Sequence, residues 1–160
     1  MQLKSPPPGP RYDALIQLLR TAETLWNASR AFFSRWDLGP SQFNLLHLLF
    51  HNPDGCTQSE LGRELIMHRS NVTGLIDRLE KRGLVRRADN VVDRRAWRVT
   101  LTAAGQKLVR DILPHYHRAA EAVWGRVSAR RARALVAELE QVSANAGAIA
   151  TRTAGKPNQP

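Results

Sequence analysis

Between Arg69 and Arg78 the chain sets a dense row of polar groups along one side of a short apolar-patterned stretch: Arg69, Ser70, Asn71, Thr73, Gly74 and Arg78. Arginine offers a donor fork to guanine, asparagine a donor and an acceptor to adenine, and a threonine methyl packs on thymine. Val72, Leu75, Ile76 and Leu79 fall at i, i+3, i+4 and i+7, so the spacing predicts a helix over 69–82 with that row inward. The polar row then faces outward. Gly74, without a side chain, lets the backbone approach a ligand closely, and His68 stands at the helix entry. Free amides at a helix N-terminus suit a phosphate. Arg78, Lys81 and Arg82 lie farther along and suit phosphate contacts, which position a protein without reading sequence.

The neighbouring elements must hold that row in place. Thr57-Gln-Ser-Glu60 is a capping-box pattern that opens a preceding helix running to Ile66. Gly83 closes the second helix, and Leu84 to Leu101 reads as a two-stranded hairpin with Asp93, Arg94 and Arg95 at its tip. A carboxylate two residues from an arginine can hold the guanidinium for a narrow minor groove, whose negative potential attracts it. Arg86, Arg87 and Arg98 add positive charge to the hairpin, and Trp97, Val99 and Leu101 alternate with polar residues as its inward face. From Glu60 to Thr100 there are ten basic against six acidic side chains. Helix, turn, helix and hairpin in that order form a winged helix-turn-helix, a shape that enters a DNA groove.

The fold class expected is mainly α: about six helices, a winged helix-turn-helix core with a small β-hairpin wing, and a helical dimerisation region built from both termini. Residues 1–10, which include Pro6-Pro-Pro-Gly-Pro10, read as an unpacked arm, and the polar residues 151–160 as a flexible tail. Residues 11–40 form the first dimerisation helix, broken at Leu38-Gly39-Pro40. The winged core occupies 41–102, beginning with a helix capped by Ser41 and ended by the turn Asn52-Pro-Asp-Gly55. Residues 103–150 supply the last two helices, with Thr102 and Ser128 as caps and a kink expected at Pro114. The terminal helices carry apolar stripes, Leu15 to Trp36 and Leu135 to Ile149. These stripes bury either against each other or against a second copy, and the two half-sites of helix-turn-helix operators favour the second copy.

Composition narrows the classes further. The 160 residues carry a formal net charge of +10, which points to a polyanion or a membrane surface. No apolar run approaches the roughly 18 residues of a membrane span and no signal pattern opens the chain, so a cytoplasmic protein without a membrane is expected. The single cysteine, Cys56, excludes an internal disulfide and a cysteine-based zinc finger. There is no glycine-rich phosphate loop, no paired catalytic carboxylates and no Ser/His/Asp set, so no enzyme and no cofactor is expected.

Taken together, Thr57-Gln-Ser-Glu-Leu-Gly62, Arg69-Ser-Asn-Val-Thr-Gly-Leu-Ile-Asp-Arg-Leu-Glu-Lys-Arg-Gly-Leu-Val85, Asp93-Arg-Arg95 and Val99-Thr-Leu-Thr-Ala-Ala-Gly105 resemble the MarR family of bacterial regulators. The likeness spans about residues 42–105. It implies a homodimer on a pseudo-palindromic double-stranded operator, with Arg95 in the minor groove and Asp93 orienting it. His68 departs from the pattern, since many relatives carry a serine or similar cap there. The resemblance also implies release from DNA by a small molecule, often a phenolic or aromatic acid, or by oxidation or metal. Trp26, Phe33, Trp36, His47, His51 and Tyr116 are candidate ligand contacts, with ordinary core packing as the alternative for each. His47 and His51 at i, i+4 can share a metal on one helical face, and His115 and His117 after Pro114 can supply further ligands, but no nearby carboxylate or cysteine completes a set and no metal site is expected. Cys56 precedes the capped helix, whose dipole can favour a thiolate. A constitutive or architectural DNA binder that senses nothing is the remaining alternative.

Overall fold

The computed structural model describes residues 9–65, 69–89 and 97–154. His68, Asp93, Arg94 and Arg95 lie outside the described residues, as do 1–8 and 155–160. Within them the chain runs α1 (Pro10–Phe33), a single 3-10 turn (Ser34–Trp36), α2 (Pro40–Phe50), β1 (Cys56–Thr57), α3 (Gln58–Glu64), α4 (Arg69–Lys81), β2 (Val85–Asp89), β3 (Trp97–Leu101), α5 (Ala103–Trp124) and α6 (Ala129–Ala154). Among the described residues it is a mainly α fold, with six helices and a small three-stranded antiparallel sheet.

Two helix starts use proline as their first residue, where its missing N–H costs nothing. α1 begins at Pro10, and α2 begins at Pro40 rather than after Ser41. The cap of α2 is Gly39, whose N–H donates to the Gln42 side chain at 2.8 Å. Asp37, in the left-handed region at φ 53°, turns the chain between these helices. α6 continues through Ala154, four residues into the stretch expected as tail.

The sheet has three strands in the order β1-β3-β2. β2 and β3 form the hairpin in the register Val85↔Leu101, Arg87↔Val99 and Asp89↔Trp97. On the other side of β3, Cys56 and Thr57 pair with Val99 and Arg98, a strand too short for periodicity to reveal. Val99 is buried, but Trp97 is 58% exposed, contrary to its expected inward packing. It shares a face with Val99 by alternation, yet sits at the outer end of β3, beyond the core.

Contacts divide the chain into a first unit ending at Ile112 and a second beginning at Leu113. The buried apolar side chains all belong to the first unit, from Phe33 to Ile112. Phe33 and Phe43 stack with ring centroids 4.4 Å apart, and Leu45, Leu46, Leu49, Leu61, Ile76, Leu79, Val85, Val99 and Val109 complete that core. The second unit comprises the rest of α5, which runs on through Pro114, and α6. It contains no buried side chain among the described residues.

The hairpin and α5 meet closely. The Thr102 N–H donates to the Leu84 carbonyl at 3.1 Å, and the Thr102 hydroxyl accepts from the Gly105 N–H at 3.1 Å, capping α5. A Cβ at Gly105 would lie 2.1 Å from the Leu84 carbonyl oxygen and 3.1 Å from a Leu101 methyl. Gly105→Ala should therefore destabilise the fold by about 2–3 kcal/mol through overpacking. A lowered urea midpoint at unchanged m would show this; an unchanged midpoint would mean that the start of α5 is not locked to the hairpin.

Candidate nucleic-acid interface

The surface is built on α3, α4 and the wing strands. Thr57 caps α3 reciprocally: its N–H donates to Glu60 Oε2 at 2.6 Å, and the Glu60 N–H donates to Thr57 Oγ1 at 3.2 Å. These hydrogen bonds hold the Glu60 carboxyl below the usual range. Because Thr57 is also the end of β1, the cap ties α3 to the sheet.

α4 buries Val72, Leu75, Ile76 and Leu79, each at 4% exposure or less. Asn71, Thr73, Asp77 and Arg78 lie exposed on the other face, with Gly74 half-buried between them. Arg69 and Ser70 form the first turn of the helix. Gly83, at φ 69°, ends it: the Gly83 N–H donates to the Glu80 carbonyl and the Leu84 N–H to the Leu79 carbonyl. The site of a Cβ on Gly74 lies 3.4 Å from an Arg78 Nη, so the glycine leaves room for the Arg78 guanidinium.

Gln58, which sequence reading passed over as part of the cap, donates to Thr73 Oγ1 from the first turn of α3. That contact engages the Thr73 hydroxyl as an acceptor and links α3 to α4. The sequence signal was available only in hindsight, as a polar side chain beside the N-cap of the first helix.

Several arginines counted toward DNA have other work. Arg87 on β2 forms ion pairs with both Asp77 and Glu80 of α4, and its N–H donates to Glu80 Oε1 at 3.0 Å. The Asp77 contact first, opposed by partial burial and helped by Glu80, raises the Arg87 pKa. Arg82 donates to the carbonyls of Trp36 and Asp37, fastening the end of α4 to the turn before α2. Arg98 donates to the carbonyls of Asp54 and Gly55. Arg86 remains exposed, with Nε donating to Thr100 Oγ1 across the hairpin at 3.3 Å.

The expected ligand contacts divide. Trp26, His47 and His51 line one cleft of about 340 Å³ with Ser41, Asn44, Leu48, Glu64 and Leu65. Phe33 is core. Trp36 packs 5.3 Å from Phe32, with the Arg35 guanidinium over both rings. Tyr116 is half-buried in the second unit. No three His, Cys, Asp or Glu side chains among the described residues gather to hold a metal. Cys56 is buried, and burial, followed by Glu60, pushes its thiol up, against the thiolate expected from the nearby helix start.

A family model described as MarR family matches residues 36–96. The HTH-type transcriptional regulator FarR of Neisseria gonorrhoeae is 30% identical over 130 residues, covering 79% of this chain and 88% of FarR. The chain belongs to the MarR family. The HTH-type transcriptional regulator PapX of Escherichia coli is 30% identical over 104 residues, and the matched stretch spans 64% of this chain and 63% of PapX, a little under two thirds of that relative. Among solved structures, Bordetella bronchiseptica BpsR, described as regulated in DNA binding by 6-hydroxynicotinic acid, superposes with a TM-score of 0.70 at 26% identity, covering 79% of this chain and 91% of BpsR. The chain thus carries the winged helix of a family of DNA-binding transcription regulators, and no helix among its described residues is long and apolar enough to cross a membrane.

Arg87 couples wing and helix through a planar fork that lysine does not reproduce. Arg87→Ala should lower stability by about 1 kcal/mol, the scale of partly exposed pairs acting together, and Arg87→Lys should recover only part of it. Urea midpoints of the three proteins check this, and equal midpoints would remove the coupling.

Proposed function

We propose that this chain is a sequence-specific transcription regulator, acting as a repressor, that binds a pseudo-palindromic operator as a homodimer and is released by a small-molecule effector. The carrying observation is the sidedness of α4: its apolar row is buried while Asn71 and Thr73 stand exposed. In this reading Arg69, Asn71 and Thr73 contact base edges in the major groove. Ser70 and the amides of the first turn hold a phosphate beside His68 and Gly74, and Arg78 and Arg86 grip the backbone farther along. Arg95 enters the minor groove with Asp93 as its orienting partner and Arg94 beside it. A bound dimer covers the duplex it reads, so repression follows without any contact to polymerase.

Exposed apolar side chains support the dimer. α1 has 24 residues but buries only Phe33, leaving Leu15, Leu19, Leu25 and Trp26 exposed. α6 likewise leaves Leu135, Val136, Val142 and Ile149 exposed. Such stripes on a regulator with two half-sites to read suit a second copy.

The cleft at Trp26, His47 and His51 supports effector binding over constitutive binding, with aromatic and polar walls suited to an aromatic acid. Regulation of BpsR by 6-hydroxynicotinic acid points to the same chemical class. Phe33 and Trp36 would then act by packing near the ligand helices rather than by contact.

The native mass at micromolar concentration should be that of two chains; a monomeric mass would overturn the dimer. On the operator recovered by genome-wide DNA capture, Arg95→Ala should weaken binding by about 1–3 kcal/mol at matched salt. Unchanged affinity would remove the wing from the mechanism.

A further inference from the structure

We propose that His47 and His51 form a two-histidine chelate for a late first-row divalent cation, holding Cu2+ most tightly. The two side chains stand one turn apart on α2, and their Nε2 atoms are 3.1 Å from each other. With metal–nitrogen bonds of about 2.0–2.1 Å, that separation subtends roughly 100° at a shared ion, between square-planar and tetrahedral angles. The rings meet edge to face with centroids 4.7 Å apart, and one Nε2 donates its hydrogen to the other. An ion would take that proton's place, with both rings in the Nδ1–H form and turned about their Cβ–Cγ bonds so that the two Nε2 lone pairs meet at the metal.

The surroundings favour a cation. His47 lies flat against Phe43, with centroids 5.6 Å apart and planes 12° from parallel, which orients one ligand before any metal arrives. His51 is the C-cap of α2, so the ion would sit at the negative end of the helix dipole. Glu64 lines the same cleft with the polar side chains of Ser41 and Asn44, and its volume of about 340 Å³ admits the waters that complete a coordination shell. No third protein ligand joins the pair among the described residues, so the ion keeps open positions. Imidazole ligands select copper, nickel and zinc over magnesium and calcium, with copper tightest. His115 and His117 also occur as a pair, but at i, i+2 on α5 they point to different faces and cannot chelate. The site departs from the sequence expectation of no metal because spacing alone could not place the two nitrogens within chelating distance. It stands whether or not the DNA-binding reading holds.

The test is calorimetric titration of the full-length chain with Cu2+, Ni2+, Zn2+ and Mg2+, alongside His51→Ala and His117→Ala. His51 is exposed, and its backbone N–H to the His47 carbonyl survives the substitution. The expected result is one Cu2+ per chain, weaker Ni2+ and Zn2+, no Mg2+, a loss of roughly tenfold or more in His51→Ala, and no change in His117→Ala. Electron paramagnetic resonance of the Cu2+ form should show two imidazole nitrogens in the wild type and one in His51→Ala. Equal Cu2+ affinity and equal nitrogen coupling in His51→Ala, or no binding by the wild type, would overturn the proposal.

Discussion

The burial of Val72, Leu75, Ile76 and Leu79 is the constraint on which the interface depends. One residue step turns an α-helix by about 100°, so four buried positions on a single stripe fix its rotation about its own axis. Each such side chain contributes roughly 1.5–3 kcal/mol by leaving water, far more than any exposed polar contact could oppose. α4 packs against α2, α3 and β2, which together receive that stripe. With the inward face settled, the outward face is settled too. Asn71 and Thr73 are exposed because their neighbours are buried.

Electrostatics then refine that face. Asp77 and Glu80 lie on α4, where unpaired carboxylates would repel a phosphate backbone. Arg87, reaching across from the wing, pairs with both and removes that repulsion while linking strand to helix. Arg82 and Arg98 bind backbone carbonyls elsewhere. The net charge of +10 therefore overstates the cations available to a polyanion. What matters is what each guanidinium already holds: Arg82, Arg87 and Arg98 are engaged by carbonyls or carboxylates, and Arg86 by the Thr100 hydroxyl alone among the described residues.

Much of the architecture was legible in the sequence because it rests on local rules. The Thr57–Glu60 capping box, the apolar spacing of α4, the glycine after it and the cap at Thr102 all appear where spacing placed them. The misses arise from non-local packing. β1 has only two residues and exists because β3 offers it a partner. Trp97 follows the alternation of its strand but extends past the core that would cover it. Pro40 looked like a break and is instead the first residue of α2. At the candidate interface, the identity of Asn71 and Thr73 was readable, whereas the Gln58 and Arg87 contacts join residues fifteen and ten positions apart, beyond any helical period.

In the proposed function the outward face of α4 reads base edges. Selection of binding sites from a random duplex pool by the wild type and by Asn71→Ala tests it most directly. Both should recover sites of the same length and half-site spacing, and the variant should lose preference at one base pair in each half-site. Recovery of the same sequence preference by both proteins would contradict it.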